Sequence, residues 1–301
     1  MQTRILGRTE RAVSEIALGT WSLTAPGADA DNARATIERA QALGINLFET
    51  AEHYEVGGES IASLLGASLR DGAMVCLRGG LDSTSTPNRK RFERVFLHRS
   101  AARAAERLKR PVDIYLLAHP TSETVKMGEA TGALHELKSE GIIANFGVAT
   151  TDIEIATIAI EEGASVIEIP FNVFTAQHFS PLIDHAKAQN VGVLARSPLA
   201  YGLLCGTWPA DKIFASDDHR AHRWTREELT SRLRQVANLR PLVTDDVHTV
   251  RNVALRFVLA HAVASAVVGV RNVGQLEANV REAGETWTME QAGKVLELIK
   301  G

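Results

Sequence analysis

Short apolar runs rich in β-branched residues alternate along this chain with longer stretches whose apolar positions recur every three to four residues. Thr3–Leu6 and Ala12–Ser14 flank the turn-like Gly7-Arg-Thr-Glu and predict a small hairpin ahead of the main fold. From Glu15 onward a strand–helix rhythm sets in. The strands are expected at Glu15–Thr20, Asn46–Ala51, Ala73–Leu77, Asp113–Ala118, Ile142–Ala149, Val166–Pro170, Val191–Arg196 and Ala264–Val270. The helices between and after them are expected at Asp31–Leu43, Ser60–Arg70, Lys90–Lys109, Val125–Ser139, Asp152–Glu162, Pro181–Gln189, Val247–His261 and Val273–Ala283. Gly44, Gly141 and Gly163 stand where helix-ending glycines belong. A long connection, Ser197 to Asp246, holds a short helix at Arg226–Asn238, and Met289–Lys300 closes the chain as a last helix.

Strands that are apolar throughout are buried on both faces, and their alternation with helices implies a parallel sheet with right-handed crossovers. Eight such units over about 250 residues predict a (β/α)8 TIM barrel. It carries a short N-terminal hairpin and a long loop after strand 7, as one domain over residues 1–301. A doubly wound open sheet is the alternative, but no G-x-G-x-x-G follows the first strand, which ends Leu18-Gly-Thr-Trp. In a barrel the chemistry lies at the C-terminal strand ends. Those ends bring forward Thr20 and Trp21, Glu49 to Tyr54, Arg78, His119, Ala149 and Thr150, Glu168, Arg196 to Gly202, and Gly269 to Arg271.

Composition narrows the classes. A net charge of −3 and a pI near 6.4 lack the basic footprint of a nucleic-acid binder, so no nucleic-acid partner is expected. No apolar run reaches the ~18 residues of a membrane span, and Met1-Gln-Thr-Arg-Ile-Leu-Gly lacks the apolar core of a signal peptide. A cytoplasmic protein with no membrane partner is therefore expected. The two cysteines, Cys76 and Cys205, support neither a disulfide framework nor a recognisable metal site, and no metal is expected.

Four groups at neighbouring strand ends suggest acid–base chemistry. A phenol, Tyr54, has a reference pKa near 10, which a fixed cation such as Arg78 lowers by stabilising the phenolate. A carboxylate, Glu49, holds that cation in place, and His119 can hydrogen-bond a substrate oxygen or relay a proton. Singly, each has a structural explanation: a packed aromatic, a strand cap, an ion pair. Clustered on adjacent strand ends, they point to a site that can protonate a carbonyl oxygen.

The motifs now add up to a resemblance. Gly19-Thr20-Trp21, Asn46-Leu-Phe-Glu-Thr-Ala with Tyr54, Gly58-Glu59, Asp113-Ile-Tyr-Leu-Leu-Ala-His119-Pro120, Gly141 with Gly147-Val148, Ser197-Pro-Leu-Ala-Tyr-Gly202-Leu203 and Gly269-Val-Arg271 with Gln275 and Asn279 occur in the order of the aldo-keto reductases. The chain resembles that family along nearly its full length. The resemblance implies NADP(H), in preference to NAD(H), held extended across the strand ends, and reversible reduction of a small carbonyl substrate. It makes Tyr54 the general acid and His119 the substrate-orienting histidine. It assigns Thr20, Trp21, Ala149, Thr150, Glu168, Arg196, Ser197, Leu199, Gly202, Gly269, Arg271, Gln275 and Asn279 to the cofactor.

The catalytic corner departs from the family pattern. Glu49 stands where the family has Asp, and Arg78 where it has Lys. Arginine is planar and effectively always protonated, so the exchange is not conservative. A longer carboxylate and a forked cation can rebuild a pair with shifted atoms. Ala149-Thr150, Glu168 and Arg196 replace the family's Ser-Asn, Gln and aromatic residue, and Glu168 and Arg196 are expected to pair across neighbouring strands. The resulting expectation is a divergent oxidoreductase. A redox-silent NADP(H)-binding protein and a non-redox dehydratase or isomerase stay open beside it. Substrate contacts are expected from the loops Ser22–Ala28, Leu81–Pro87 and Pro209–Arg223.

Overall fold

The computed structural model describes residues 1–85, 89–126, 128–283 and 285–300. Eight parallel strands close into a barrel: Ile16–Gly19, Leu47–Ala51, Met74–Gly79, Val112–Ala118, Ile143–Ala149, Val166–Pro170, Gly192–Arg196 and Ser265–Gly269. They are called here strands one to eight. Each pairs in parallel with the next, and strand eight returns to strand one through Gly269↔Gly19. The expected (β/α)8 architecture is therefore present.

The outer ring is α1 (Ala30–Ala42), α2 (Ile61–Ser68), α3 (Arg94–Leu108), α4 (Ser122–Lys126), α5 (Glu129–Ser139), α6 (Ile153–Glu161), α7 (Ala176–Ala188), α8 (Arg226–Ala237), α9 (Val250–Ala260), α10 (Val273–Ala283) and α11 (Met289–Lys300). Local sequence sets several of their starts. The Asp29 carboxylate accepts from the Asn32 N–H at 2.7 Å to begin α1, and Asp152 does the same for α6. Thr225 and Glu228 form a reciprocal capping box at α8. No helix of the described residues is long and apolar enough to cross a membrane.

Three expected boundaries move. The helix foreseen over Val125–Ser139 is two, α4 and α5, separated around Gly128, whose φ of 78° is left-handed; Met127 lies outside the described residues. The helix foreseen from Lys90 starts at Arg94, because Arg89–Lys90 pairs instead with Leu81–Asp82 in a small antiparallel ladder. Residues 86–87 of that expected substrate loop also lie outside the described residues. The helix foreseen from Pro181 starts at Ala176, so the proline sits inside α7.

Two cores follow from the period of two along each strand. One set of alternating residues points outward against the helices. The other fills the barrel: Ala17, Leu47, Met74, Cys76, Ile114, Leu116, Ala149, Val166, Leu194 and Val267. The N-terminal hairpin (Thr3–Ile5 with Ala12–Ser14) adds Leu6 and Val13 to this inner cluster and so plugs one mouth. Leu6 packs so closely on Gly192 that a β-carbon there would come within 2.6 Å of it. Only the opposite mouth, where the strands end, remains for a site.

Candidate active site

Moving two residues on from the inner apolar layer reaches the top layer of the same inward face. From Leu47 this is Glu49, from Cys76 Arg78, from Val166 Glu168, and from Leu194 Arg196. Four ionic side chains therefore crown an apolar barrel. Glu49 and Glu168 are almost completely buried, and Arg78 nearly so, at 17% side-chain exposure.

Arg78 is the hub. Its Nε lies 2.6 Å from Glu49 Oε1 and 3.8 Å from Glu168 Oε2. The Nε–H is not aligned for a hydrogen bond, so the Glu49 contact is an ion pair of charges. Its Nη2 instead donates to the Tyr54 hydroxyl at 2.5 Å. The expected pairing of Glu168 with Arg196 does not form. Glu168 reaches across the barrel to Arg78, because side chains of the top layer converge on the axis rather than running along the sheet.

Burial governs the proton affinities. It raises Glu49 to about 7, against the opposing pull of Arg78. Burial, and then the Glu49 charge, push the Tyr54 phenol above its ordinary value, although Arg78 pulls it down. The expectation of a lowered phenol thus has the right sign for the cation and the wrong net result: desolvation wins. Burial alone would lower Arg78, but Glu49 and Glu168 hold it above its ordinary value. His119 is pushed down to about 4 by burial and by the cations Arg196, Lys90 and Arg78, so it is neutral at pH 7.

The loop that carries Tyr54 is anchored from behind. Ser100 Oγ donates to Glu52 at 2.5 Å and lies 2.7 Å from the Tyr115 hydroxyl. Arg107 donates to the Glu52 carbonyl at 3.1 Å. Gly79 leaves room for this network: a β-carbon there would lie 1.9 Å from the Tyr115 oxygen. His53 packs edge-on against Tyr54 at 4.9 Å, and burial and the Arg78 charge push its imidazole below the ordinary value.

A cavity of about 590 Å³ opens from this corner, within the range of small-molecule sites. Of the residues expected at the site, Glu49, Tyr54, Arg78, Trp21, Glu168, Arg196, Ser197, Leu199, Gly202, Gly269, Arg271, Gln275 and Asn279 line it. Thr20, Ala149, Thr150 and His119 do not. Ala149 is inside the barrel core, Thr20 and Thr150 are buried, and the Thr150 hydroxyl accepts from the Asp152 N–H at 3.1 Å. His119 sits at the end of strand four with a left-handed φ of 52°, its carbonyl held by Lys90 at 2.7 Å.

The far end of the groove fits an extended polyanion. Ser197, Ala200, Tyr201 and Gly202 all have positive φ, giving sharp turns in which the Ala200 and Gly202 N–H groups bond back to Ser197 and Leu199. Arg220, Arg223, Arg251 and Arg271 stand along the same wall. Arg220 and Arg223 belong to the expected substrate loop Pro209–Arg223, whereas Arg251 was not singled out by the sequence. Arg251 lies in the first turn of α9, and only its position at a helix start near a strand-end loop could have signalled it. The long loop after strand seven lies across the groove: His219 packs edge-on on Trp21 at 4.6 Å, and Asp218 approaches Arg271 at 3.8 Å.

Comparison with known proteins agrees with this construction. Residues 15–300 match the aldo/keto reductase family. The chain is 26% identical to the uncharacterized oxidoreductase YqkF of Bacillus subtilis, covering 99% of this chain and 96% of that protein. It is 25% identical to an NADH-specific methylglyoxal reductase of Escherichia coli, over 95% and 97% of the two chains. The solved structure of a glycerol dehydrogenase from Gluconobacter oxydans superposes with a TM-score of 0.85 at 26% identity, over 99% and 94% of the two chains. With the family matched over nearly the whole chain and the barrel shared with solved members, the chain belongs to the aldo/keto reductase family and is an oxidoreductase of that family.

Proposed function

We propose that this protein reduces a small carbonyl compound with NADP(H), and that Tyr54 is the general acid. The observation that carries the reading is the Arg78 guanidinium, held by Glu49 at 2.6 Å and donating to the Tyr54 oxygen at 2.5 Å, at the floor of the groove. A phenol kept above its ordinary value retains its proton at neutral pH, as a proton donor must. As that proton leaves for the substrate oxygen, charge appears on the phenolate, where Arg78 is already aimed. Glu49 and Glu168 keep Arg78 in register, so no reorganisation is needed as the proton moves. His119, close enough to Arg78 and Arg196 to feel their charge, is neutral but lies outside the cavity lining, so the substrate-orienting role that the family resemblance gives it has no support from the cavity.

The nicotinamide, when bound, supplies the hydride. Ser197, Leu199 and Gly202 would hold its diphosphate and Gln275, Asn279 and Arg271 its adenosine end. Arg271 follows strand eight at the entry to α10 and favours a 2′-phosphate, hence NADP(H). The similarity to an NADH-specific reductase makes NAD(H) the alternative to be measured.

Purified protein incubated with NADPH or NADH and a panel of aldehydes and ketones should oxidise the cofactor, with NADPH preferred. A redox-silent reading is favoured by the same burial that weakens Tyr54 as an acid. It predicts enhanced NADPH fluorescence with no consumption on any member of the panel. Conversion of substrate with no change in nicotinamide absorbance would replace both with non-redox acid–base chemistry.

A further inference from the structure

Two guanidiniums crown the barrel, and they are not equivalent. Both top-layer carboxylates lie within ion-pair reach of Arg78. Arg196 has neither: among the described residues no carboxylate comes within ion-pair distance of it. Its Nε is shielded from solvent and has no hydrogen-bond partner. Yet it lines the same cavity as Tyr54, and its charge acts on Glu49, Tyr54 and His119 alike.

A partly buried cation without a partner is costly, and buried polar groups left unpaired call for an explanation. A ligand anion supplies one. The diphosphate and adenosine end of the groove already has Arg220, Arg223, Arg251 and Arg271, contributed by other elements. Arg196 stands instead at the end of strand seven, inward-facing, at the corner where Tyr54 delivers its proton.

We propose that Arg196 binds the carboxylate of the substrate, and that the substrate is therefore a small oxo acid whose carboxylate lies on the carbonyl carbon or one carbon beyond. This deepens the reductase reading and rests on it. A forked guanidinium grips a carboxylate through two parallel N–H···O bonds, which fixes the carbonyl's direction as well as its position. Neutral substrates of the same size lose that grip. In the balanced step the carbonyl carbon gains a hydride from reduced nicotinamide and its oxygen gains the Tyr54 proton. The products are a hydroxy acid and oxidised nicotinamide, and the phenolate recovers a proton from water.

The test compares 2-oxo and 3-oxo acids with their methyl esters, using NADPH, in the wild-type protein, Arg196→Gln and Arg196→Lys. The acid should be preferred over its own ester by roughly 10²-fold in kcat/KM, chiefly through KM. That ratio should collapse toward one in Arg196→Gln and return in part in Arg196→Lys. Taking the ratio within each variant removes any general loss of activity or folding. Equal use of acid and ester by the wild type overturns the proposal. So does an unchanged ratio in Arg196→Gln accompanied by weaker NADPH binding, which would assign Arg196 to the cofactor. If neither acid nor ester is reduced, the reductase reading itself fails. Equilibrium binding then decides: oxo acids should perturb the fluorescence of Trp21 and Trp208 in the groove wall of the wild type and not of Arg196→Gln. No such response in the wild type sinks the proposal.

Discussion

The two ends of the groove are built by different means. At the reacting end, Glu49, Arg78, Glu168 and Arg196 project from barrel strands, and their positions follow from the parallel ladder beneath them. At the other end the charges come from a long loop and a helix start. Asp218 is clamped by three hydrogen bonds from Arg220, two from its side chain at 2.8 and 2.6 Å and one from its backbone at 2.9 Å, and reaches Arg271 at 3.8 Å. Those Arg220 bonds hold Asp218 below the usual carboxylate range, so it is charged at any ordinary pH. The strand end is buried and moves proton affinities through desolvation; at the loop end burial again lowers His219, while hydrogen bonds from Arg220 govern Asp218. On the proposed reading, chemistry belongs at the first and grip at the second.

Substitutions should separate the two ends. The largest effect is expected for Tyr54→Phe, which removes the proton donor and should lower kcat by about 10³-fold while NADPH binding stays within a factor of two or so. Weaker binding with kcat preserved would move Tyr54 from chemistry to grip. Next, Arg78→Lys should cost on the order of 10²-fold, because the shorter ammonium cannot meet Glu49 and Tyr54 together. Adding Glu49→Asp should recover part of that loss if the two departures form one unit. A full multiplication of the two single losses in kcat/KM would show independent sites.

At the loop end, Arg271→Ala should weaken NADPH by about tenfold and NADH hardly at all, read by fluorescence titration. Equal weakening of both would remove the 2′-phosphate from Arg271.

The smallest effect concerns pH. An ionised Glu49 weakens Tyr54 as an acid, and Glu49 takes up a proton near pH 7. The rate of reduction should therefore rise as pH falls through about 7, and Glu49→Gln should flatten that rise. Stability moves in the same direction. Because folding raises Glu49 above its ordinary 4.5, its contribution is complete below that value and is lost as pH rises through about 7. The melting temperature of the wild type should fall more than that of Glu49→Gln between pH 5 and 8. Parallel curves for the two would place the titration elsewhere.

Much of the fold is legible along the chain. β-branched apolar runs at regular spacing forced parallel strands, and helix-ending glycines and Asx or Thr caps set where the ring helices begin and stop. Misplaced helix limits arose where local rules competed. Pro181 looks like a first-turn proline, yet α7 extends a turn and a half before it, since Phe179 packs into the outer core. The site was legible as a set of strand-end residues, and most of them do line one cavity. Their partners were not. Neighbouring strands suggested Glu168 with Arg196, whereas the closed barrel set Glu168 opposite Arg78.

The sequence alone determined the period of two that puts Glu49, Arg78, Glu168 and Arg196 on one inward face. It also determined the phenol five residues beyond Glu49 and the 197–202 segment that follows strand seven. Tertiary structure decided which charges meet. Closure brings the inward-facing ends of strands three and six within reach of each other, so one arginine takes both carboxylates and the other has none among the described residues. It also decided the sign of the Tyr54 shift, because desolvation depends on what surrounds a side chain in three dimensions and not on its neighbours along the chain.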